Sequence, residues 1–143
     1  MNFDMYWRRL VERVHREREV LSDEEAEFWR LSCIYGETMV DGVESYFDRR
    51  FREFDADMTT LRKYNFADVA SDFLDAKQVI FGGALLTEQL VRPVLLRLLD
   101  EAPADERILK QIDSIYSRLI ERLPAVADFR TQFGLARNFY EEA

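Results

Sequence analysis

The sequence predicts a single all-α domain of seven or eight helices that covers residues 1–143. Apolar residues recur at helical steps of three or four along almost the whole chain. Only five Gly and three Pro occur, too few for a barrel or sandwich with a turn about every 8–12 residues. With 48% hydrophobic and 34% charged residues, the composition is that of a folded domain and not of a disordered chain.

The first 20 residues are predicted to form an Arg-rich amphipathic N-terminal helix, and residues 21–143 to form the acidic body of the domain. The apolar residues of the first segment follow the helical step: Phe3, Tyr6 or Trp7, Leu10 and Val14. Opposite charges four residues apart, such as Asp4 and Arg8, support that helix. A capping box at Ser22–Glu25 predicts the start of the second helix.

Asp41 and Gly42 are expected to end the second helix. The next helix has its apolar positions at Val43, Tyr46, Phe47, Phe51 and Phe54. Residues 55–59 are predicted to be a polar joint. Asn65 is a candidate N-cap for the following helix, which Gly82-Gly83 is expected to end because glycine adopts positive φ readily.

The segment 84–99 is apolar enough for a central helix, with Pro93 expected to kink it or to lie in its first turn. Residues 101–105 are predicted to be a loop. The next helix has the most regular pattern, with one apolar face formed by Ile108, Ile112, Ile115, Leu119 and Leu123. Pro124 is expected to begin a last short pair of helices that ends near Tyr140.

The charge balance argues against direct nucleic-acid binding. The chain has 20 Lys and Arg against 28 Asp and Glu, a net charge of −8, whereas affinity for duplex DNA comes mainly from basic side chains on phosphates. The first 20 residues contain five Arg and four acids, so the acidity belongs to the body of the domain. Lys occurs only at 63, 77 and 110, and the excess of Arg predicts many internal Arg–carboxylate pairs.

The sequence offers no candidate catalytic residue and no cofactor-binding motif. One His and one Cys cannot form a His/Cys zinc site within one chain, and the phosphate-binding, dinucleotide-binding and nucleophile-elbow motifs are absent. His15 is expected to be a solvated surface residue and Cys33 a buried structural thiol. The N-terminus lacks the features of a signal peptide, and the longest apolar run, Val79 to Leu86, is too short to span a membrane. The expected location is cytoplasmic, without a membrane partner.

Two rows of carboxylates have helical spacing: Asp41, Glu44 and Asp48, and Asp68, Asp72 and Asp75. They admit three interpretations. They could form the solvated outer face of amphipathic helices, or hold a divalent metal as carboxylate bundles do. They could also imitate DNA phosphates, because carboxylates one helical turn apart repeat negative charge about every 5.4 Å.

One short run of the chain is Val40-Asp41-Gly42-Val43-Glu44-Ser45-Tyr46-Phe47. It resembles the Asn-Gly-Gly-Phe-x-Gln-Tyr-Phe signature of a bacterial family of small all-helical domains of unknown function, a family that includes a DNA-mimic protein. Gly42, Tyr46 and Phe47 match the signature, whereas Asp41, Val43 and Ser45 depart from it. The resemblance covers about residues 20–133 and extends to Leu21–Glu25, Ala67–Phe81 and Ile112–Tyr116.

The resemblance and the acidic rows together favour a non-enzymatic protein-interaction domain, possible as a homodimer, that occupies the DNA-binding surface of a basic partner such as a transcriptional regulator. The partner-binding residues expected are Asp41, Glu44, Asp48, Asp55, Asp57, Asp68, Asp72 and Asp75. One alternative is a metal-dependent enzyme that uses the same carboxylates. Another is an interaction or immunity-type domain with an apolar face, either the Phe51/Phe54 edge or the 84–99 segment.

Overall fold

The computed structural model describes residues 1–99 and 106–142, and over these residues the chain is helical without any strand. The helices are α1 (Phe3–His15), α2 (Asp23–Arg50), α3 (Phe54–Lys63), α4 (Ala67–Phe81), α5 (Glu88–Leu99) and α6 (Glu106–Ala136). A 3-10 turn, Phe51–Glu53, joins α2 to α3. The all-α prediction is confirmed, but the six α-helices of these residues are fewer than the seven or eight expected. The predicted loop at 101–105 lies outside the described residues.

The start of α2 has the predicted capping box. Ser22 Oγ accepts a hydrogen bond from the backbone N–H of Glu25 at 3.2 Å, and Glu25 Oε1 accepts one from the N–H of Ser22 at 3.4 Å. The predicted break at Asp41-Gly42 is a kink inside α2. Gly42 has φ 89° and ψ −177°, after which the helix resumes, and glycine tolerates this backbone conformation because it has no Cβ.

The predicted polar joint at residues 55–59 is wrong, because these residues lie within α3. The polar pattern predicts a solvent-exposed segment, but the carboxylate of Asp57 faces the interior and pairs with Arg50. The Phe51/Phe54 edge is also not an exposed apolar face, since both rings are buried in the core.

The boundaries of α4 agree with one prediction and differ from another. Asn65 does not cap α4: it has φ 67° at the end of α3, and Phe66 occupies the N-cap position without a side-chain hydrogen bond. Gly82 ends α4 as predicted, with φ 66°. With ψ −147°, this positive-φ conformation is open to few residues other than glycine, because glycine has no Cβ.

Pro93 and Pro124 do not separate helices. Pro93 lies on the exposed side of α5, and α6 continues through Pro124, so the predicted last pair of helices is wrong. Pro124 faces solvent, where water can bond the carbonyl group that loses its helical N–H partner. Within the described ranges, no helix combines the length and apolar character needed to cross a bilayer.

The core has two parts. The larger lies between α2, α4 and α6 and includes Tyr46, Phe47 and Phe73. The smaller is aromatic and attaches α1 and the C-terminal residues to α2 and α6. Gly134 makes this second packing possible, because a Cβ there would lie 2.5 Å from the Tyr140 ring. The core residues of the second half of α2 and of the end of α5 belong to the larger part of the core and not to this smaller aromatic part.

Candidate functional site

The eight acidic residues predicted to bind a partner do not form one surface. Asp57 is fully buried, with 0% of its surface exposed. Its carboxylate accepts hydrogen bonds from Arg50 Nε and Nη2 and from the hydroxyl of Tyr46, each at 2.8 Å. Burial, with the nearby Asp57 charge, raises the pKa of Tyr46 well above its usual value. Asp57 therefore joins α2 to α3 and cannot contact a partner, which corrects its assignment.

The row Asp68, Asp72 and Asp75 is paired internally with two arginines of α6. Asp72 is buried, and its carboxylate accepts from Arg118 Nε at 2.9 Å and from Arg122 Nη1 at 2.7 Å. Its assignment as a partner-binding residue is corrected for the same reason as that of Asp57. Asp68 and Asp75 are exposed and pair with the same two arginines. Asp75 Oδ2 lies 3.4 Å from Arg118 Nη2, and Asp68 Oδ2 lies 3.7 Å from Arg122 Nε. The predicted Arg–carboxylate pairing is confirmed in this row.

The row Asp41, Glu44 and Asp48 differs because it forms no ion pair with any described residue. Asp41 and Asp48 are exposed, and Glu44 is half-buried. The kink at Gly42 lies between the first two acids, and a Cβ on Gly42 would lie 3.0 Å from Glu44 Oε2. Asp55 is also exposed and without an ion pair to a described residue, but it lies on α3, away from this row.

These three carboxylates lie along a groove of about 780 Å³ between the second half of α2, the end of α5 and the start of α6. We call this the acidic groove. It is lined by Asp41, Glu44, Ser45, Asp48, Arg49, Arg92, Leu95, Leu96, Leu98, Leu99 and Leu109. Leu95 and Leu98 belong to the core, whereas Leu96 and Leu99 are 62% and 72% exposed. An apolar surface thus adjoins an acidic edge.

The two arginines that line the acidic groove pair with carboxylates outside the row. Arg49 Nε lies 3.5 Å from Glu37, and Arg92 Nε lies 3.6 Å from Glu88, which Arg52 also contacts at 3.2 Å. The acids of the groove lack such partners among the described residues. The local charge imbalance is therefore negative, and a cation is the ligand that would relieve it.

The other candidates for chemistry do not form a site. His15 is exposed and lies edge-on to Trp29, with the ring centres 5.6 Å apart. Burial raises the pKa of the Cys33 thiol to about 12, which disfavours the thiolate that a nucleophile needs. Across residues 1–99 and 106–142, no three His, Cys, Asp or Glu side chains are arranged to hold a metal ion.

Segment 84–99 is one of the two apolar binding faces expected from the sequence, but its individual leucines are not distinguished there. Their signal is present in Leu95-Leu96-Arg97-Leu98-Leu99, where four apolar residues among five positions exceed a single helical face. The sequence predicts a central helix over the whole of segment 84–99. The structure instead places one face of α5 in the core and leaves the other in the acidic groove.

The chain matches no protein-family model, no curated protein and no solved structure. Asp41, Glu44 and Asp48 differ from the remaining predicted residues because they line the acidic groove and form no ion pair with a described residue; Asp55 also lacks such a pair but does not line the groove.

Proposed function

We propose that this protein is a non-enzymatic interaction domain that binds a basic protein partner through the acidic groove. The observation that supports the proposal is the free row on α2: Asp41, Glu44 and Asp48 have no cationic partner among the described residues, while the row on α4 is paired with α6. Unpaired carboxylates at the edge of a groove steer a basic partner toward it and penalise an acidic one.

The leucines beside the acids give such a complex a source of affinity. Fully burying one leucine side chain contributes about 1.5–3 kcal/mol, and Leu96 and Leu99 are mostly exposed without a partner. Exposed charges at the rim of an interface mainly affect the association rate and the choice of partner. The acids would therefore select the partner, and the leucines would hold it.

A DNA-binding regulator is one class of basic partner. Imitation of both strands of a duplex would be favoured by two free acidic rows, but the row at Asp68, Asp72 and Asp75 is matched by Arg118 and Arg122. The free row on α2 supports recognition of a basic surface more directly than imitation of a duplex. Competition with DNA distinguishes these two versions of the proposal.

The test compares two triple variants with equal changes in charge. The groove variant is Asp41→Asn, Glu44→Gln and Asp48→Asn. The control variant is Asp113→Asn, Glu121→Gln and Asp128→Asn, which changes three exposed α6 acids that form no ion pair with a described residue. Immobilised wild type and control should capture basic proteins from an extract of the host cell, and the groove variant should not.

Salt and DNA provide the second readout. Capture should weaken between about 50 and 200 mM salt, because the steering interaction between exposed charges is screened. Equal capture by both triple variants, or capture that is indifferent to salt, would contradict the proposal. Release of the captured proteins by duplex DNA would identify the partner surface as a DNA-binding one, and retention would place it elsewhere on the partner.

A further inference from the structure

The acidic groove has helical walls and a leucine surface, which limits the kind of segment that it can bind. Its lining comes from α2, α5 and α6. A segment that adds a strand needs an exposed sheet edge, and residues 1–99 and 106–142 contain no strand. Proline-rich segments bind grooves lined by aromatic rings, and none of the described residues that line this groove is aromatic. Helix-in-groove binding is the recognition mode that these walls permit.

The exposed leucines have the spacing that an additional helix requires. Leu96 and Leu99 are separated by three residues on α5 and therefore lie on the same face. Leu95 and Leu98 continue that apolar surface into the core, and Leu109 extends it onto α6. Helices pack by inserting side chains of one between those of the other at an axial separation of about 8–10 Å.

The acids define the charge of the incoming helix. Glu44 and Asp48 are four residues apart on the helical second half of α2, which places them about 6 Å apart along the axis. A helix running beside α2 presents basic side chains at the same spacing when Lys or Arg occurs at i and i+4. The lining arginines pair with Glu37 and Glu88, the latter shared with Arg52. Neither arginine forms an ion pair with Glu44 or Asp48.

We propose that the acidic groove binds an amphipathic basic helix of the partner protein. The apolar face of that helix packs on the α5 leucines, and its basic flank faces Glu44 and Asp48. This inference rests on the proposed function and specifies the partner segment. It differs from simple charge recognition because it requires an apolar stripe as well as positive charge.

The test selects ligands from a displayed library of peptides of about 15–20 residues, long enough to form a marginal helix, with the 143-residue chain as target. Selected peptides should show apolar residues at i, i+3 or i+4, and i+7, together with Lys or Arg on one flank. Their helical circular dichroism should increase on binding. Backbone NMR shifts should change mainly in residues 41–49 and 92–99.

Matched leucine variants separate the groove from general hydrophobicity. The groove leucine variant is Leu96→Ser with Leu99→Ser. The control leucine variant is Leu74→Ser with Leu85→Ser, which changes two leucines that are exposed elsewhere. All four side chains are exposed, so both variants should fold. We expect the selected peptides to bind the groove leucine variant about tenfold or more weakly, which corresponds to part of the free energy gained by burying the two leucine side chains. They should bind the control leucine variant as tightly as wild type.

The inference is overturned if no peptide is enriched, if the enriched peptides lack an apolar helical stripe, or if both leucine variants bind them equally well. If the groove triple acid variant loses basic proteins while Leu96→Ser with Leu99→Ser keeps them, the proposed function stands and the helix inference fails. If neither groove variant affects binding, both proposals fail. A dimer that Leu96→Ser with Leu99→Ser converts to a monomer would make a second copy the occupant and also overturn the inference.

Discussion

Arg50 and Asp57 form a buried two-pronged ion pair, in which Nε and Nη2 of the guanidinium each donate to a different carboxylate oxygen at 2.8 Å. The pair links the end of α2 to α3 across the 3-10 turn. Tyr46 donates a third hydrogen bond to the same carboxylate. Because all three groups are buried, each depends on the others for its hydrogen bonds.

Removal of the carboxylate should therefore be costly. Asp57→Ala leaves the charge of Arg50 and the hydroxyl of Tyr46 without a partner, and breaking a buried pair costs about 3–5 kcal/mol. Asp55→Ala changes an exposed acid on the same helix and should change the free energy of unfolding by no more than about 0.5 kcal/mol. Urea unfolding monitored by circular dichroism measures both values. Similar stabilities for the two variants would contradict the structural role of Asp57.

The two glycines of α2 should respond in opposite directions to alanine. Gly42→Ala introduces a Cβ where φ is 89°, 3.0 Å from Glu44 Oε2, and should destabilise the fold by about 1–3 kcal/mol. Gly36 has no positive φ, and a Cβ there meets no atom within 4 Å. Gly36→Ala should therefore stabilise the protein by about 0.5–1 kcal/mol. Thermal unfolding distinguishes them, and a stabilising Gly42→Ala would show that the kink is not required.

Local signals predicted many of the helices because they act within a few residues. The capping box at Ser22–Glu25 and the glycine stop at Gly82 are both present. The same local rules failed at Pro124 and Asp57, whose surroundings depend on distant residues. A proline on the exposed side of a long helix does not end it, and an aspartate is tolerated inside once Arg50 reaches it.

The acidic groove illustrates a similar limit for the site. The spacing of Asp41, Glu44 and Asp48 predicted a common face, but the same spacing occurs at Asp68, Asp72 and Asp75. Only tertiary packing shows that α6 brings arginines to the second row and leaves the first without ion pairs to described residues. Helical periodicity cannot identify which row is neutralised, because the arginines are about 50 residues away.

The Arg13–Glu25 pair predicts an acid-sensitive contribution to stability. Hydrogen bonds from Arg13 hold the pKa of Glu25 below its usual value, with help from Ser22. A depressed carboxyl pKa stabilises the fold above the unfolded pKa of about 4.3, and that stabilisation is lost as pH falls through the folded pKa. The stability difference between wild type and Glu25→Gln should be about 1 kcal/mol at pH 7, the upper end for an ion pair that water still reaches, and should shrink below pH 4.

The exposed residue Glu17 supplies the control for this pH series. Glu17→Gln changes the same type of side chain where no ion pair with a described residue exists, so its stability should parallel that of wild type at every pH. Urea unfolding from pH 3 to pH 7 measures the three curves. A difference between wild type and Glu25→Gln that does not change with pH would contradict the assignment.

Cys33 should be unreactive in the folded protein. Burial raises the pKa of its thiol to about 12, and the thiolate is the reactive form. Alkylation by iodoacetamide at pH 8 should be at least about a hundredfold slower in the native protein than in urea, where the pKa returns to about 8.5. Mass spectrometry follows the modified fraction. Equal rates in the two states would mean that the thiol is accessible and ionised in the fold.

Equivalent substitutions in the two acidic rows should separate structural acids from binding acids. Asp72→Ala removes the acceptor shared by Arg118 and Arg122 and should lower the free energy of unfolding by about 2–3 kcal/mol, the cost of losing charged hydrogen bonds. Asp48→Ala removes an exposed carboxylate without an ion pair to a described residue, and should change stability by less than about 0.5 kcal/mol. Urea unfolding gives both values. If Asp48→Ala proved as destabilising as Asp72→Ala, the row Asp41, Glu44 and Asp48 would have a structural role. Its acids would then not be free to bind a basic partner, which would contradict the proposed function.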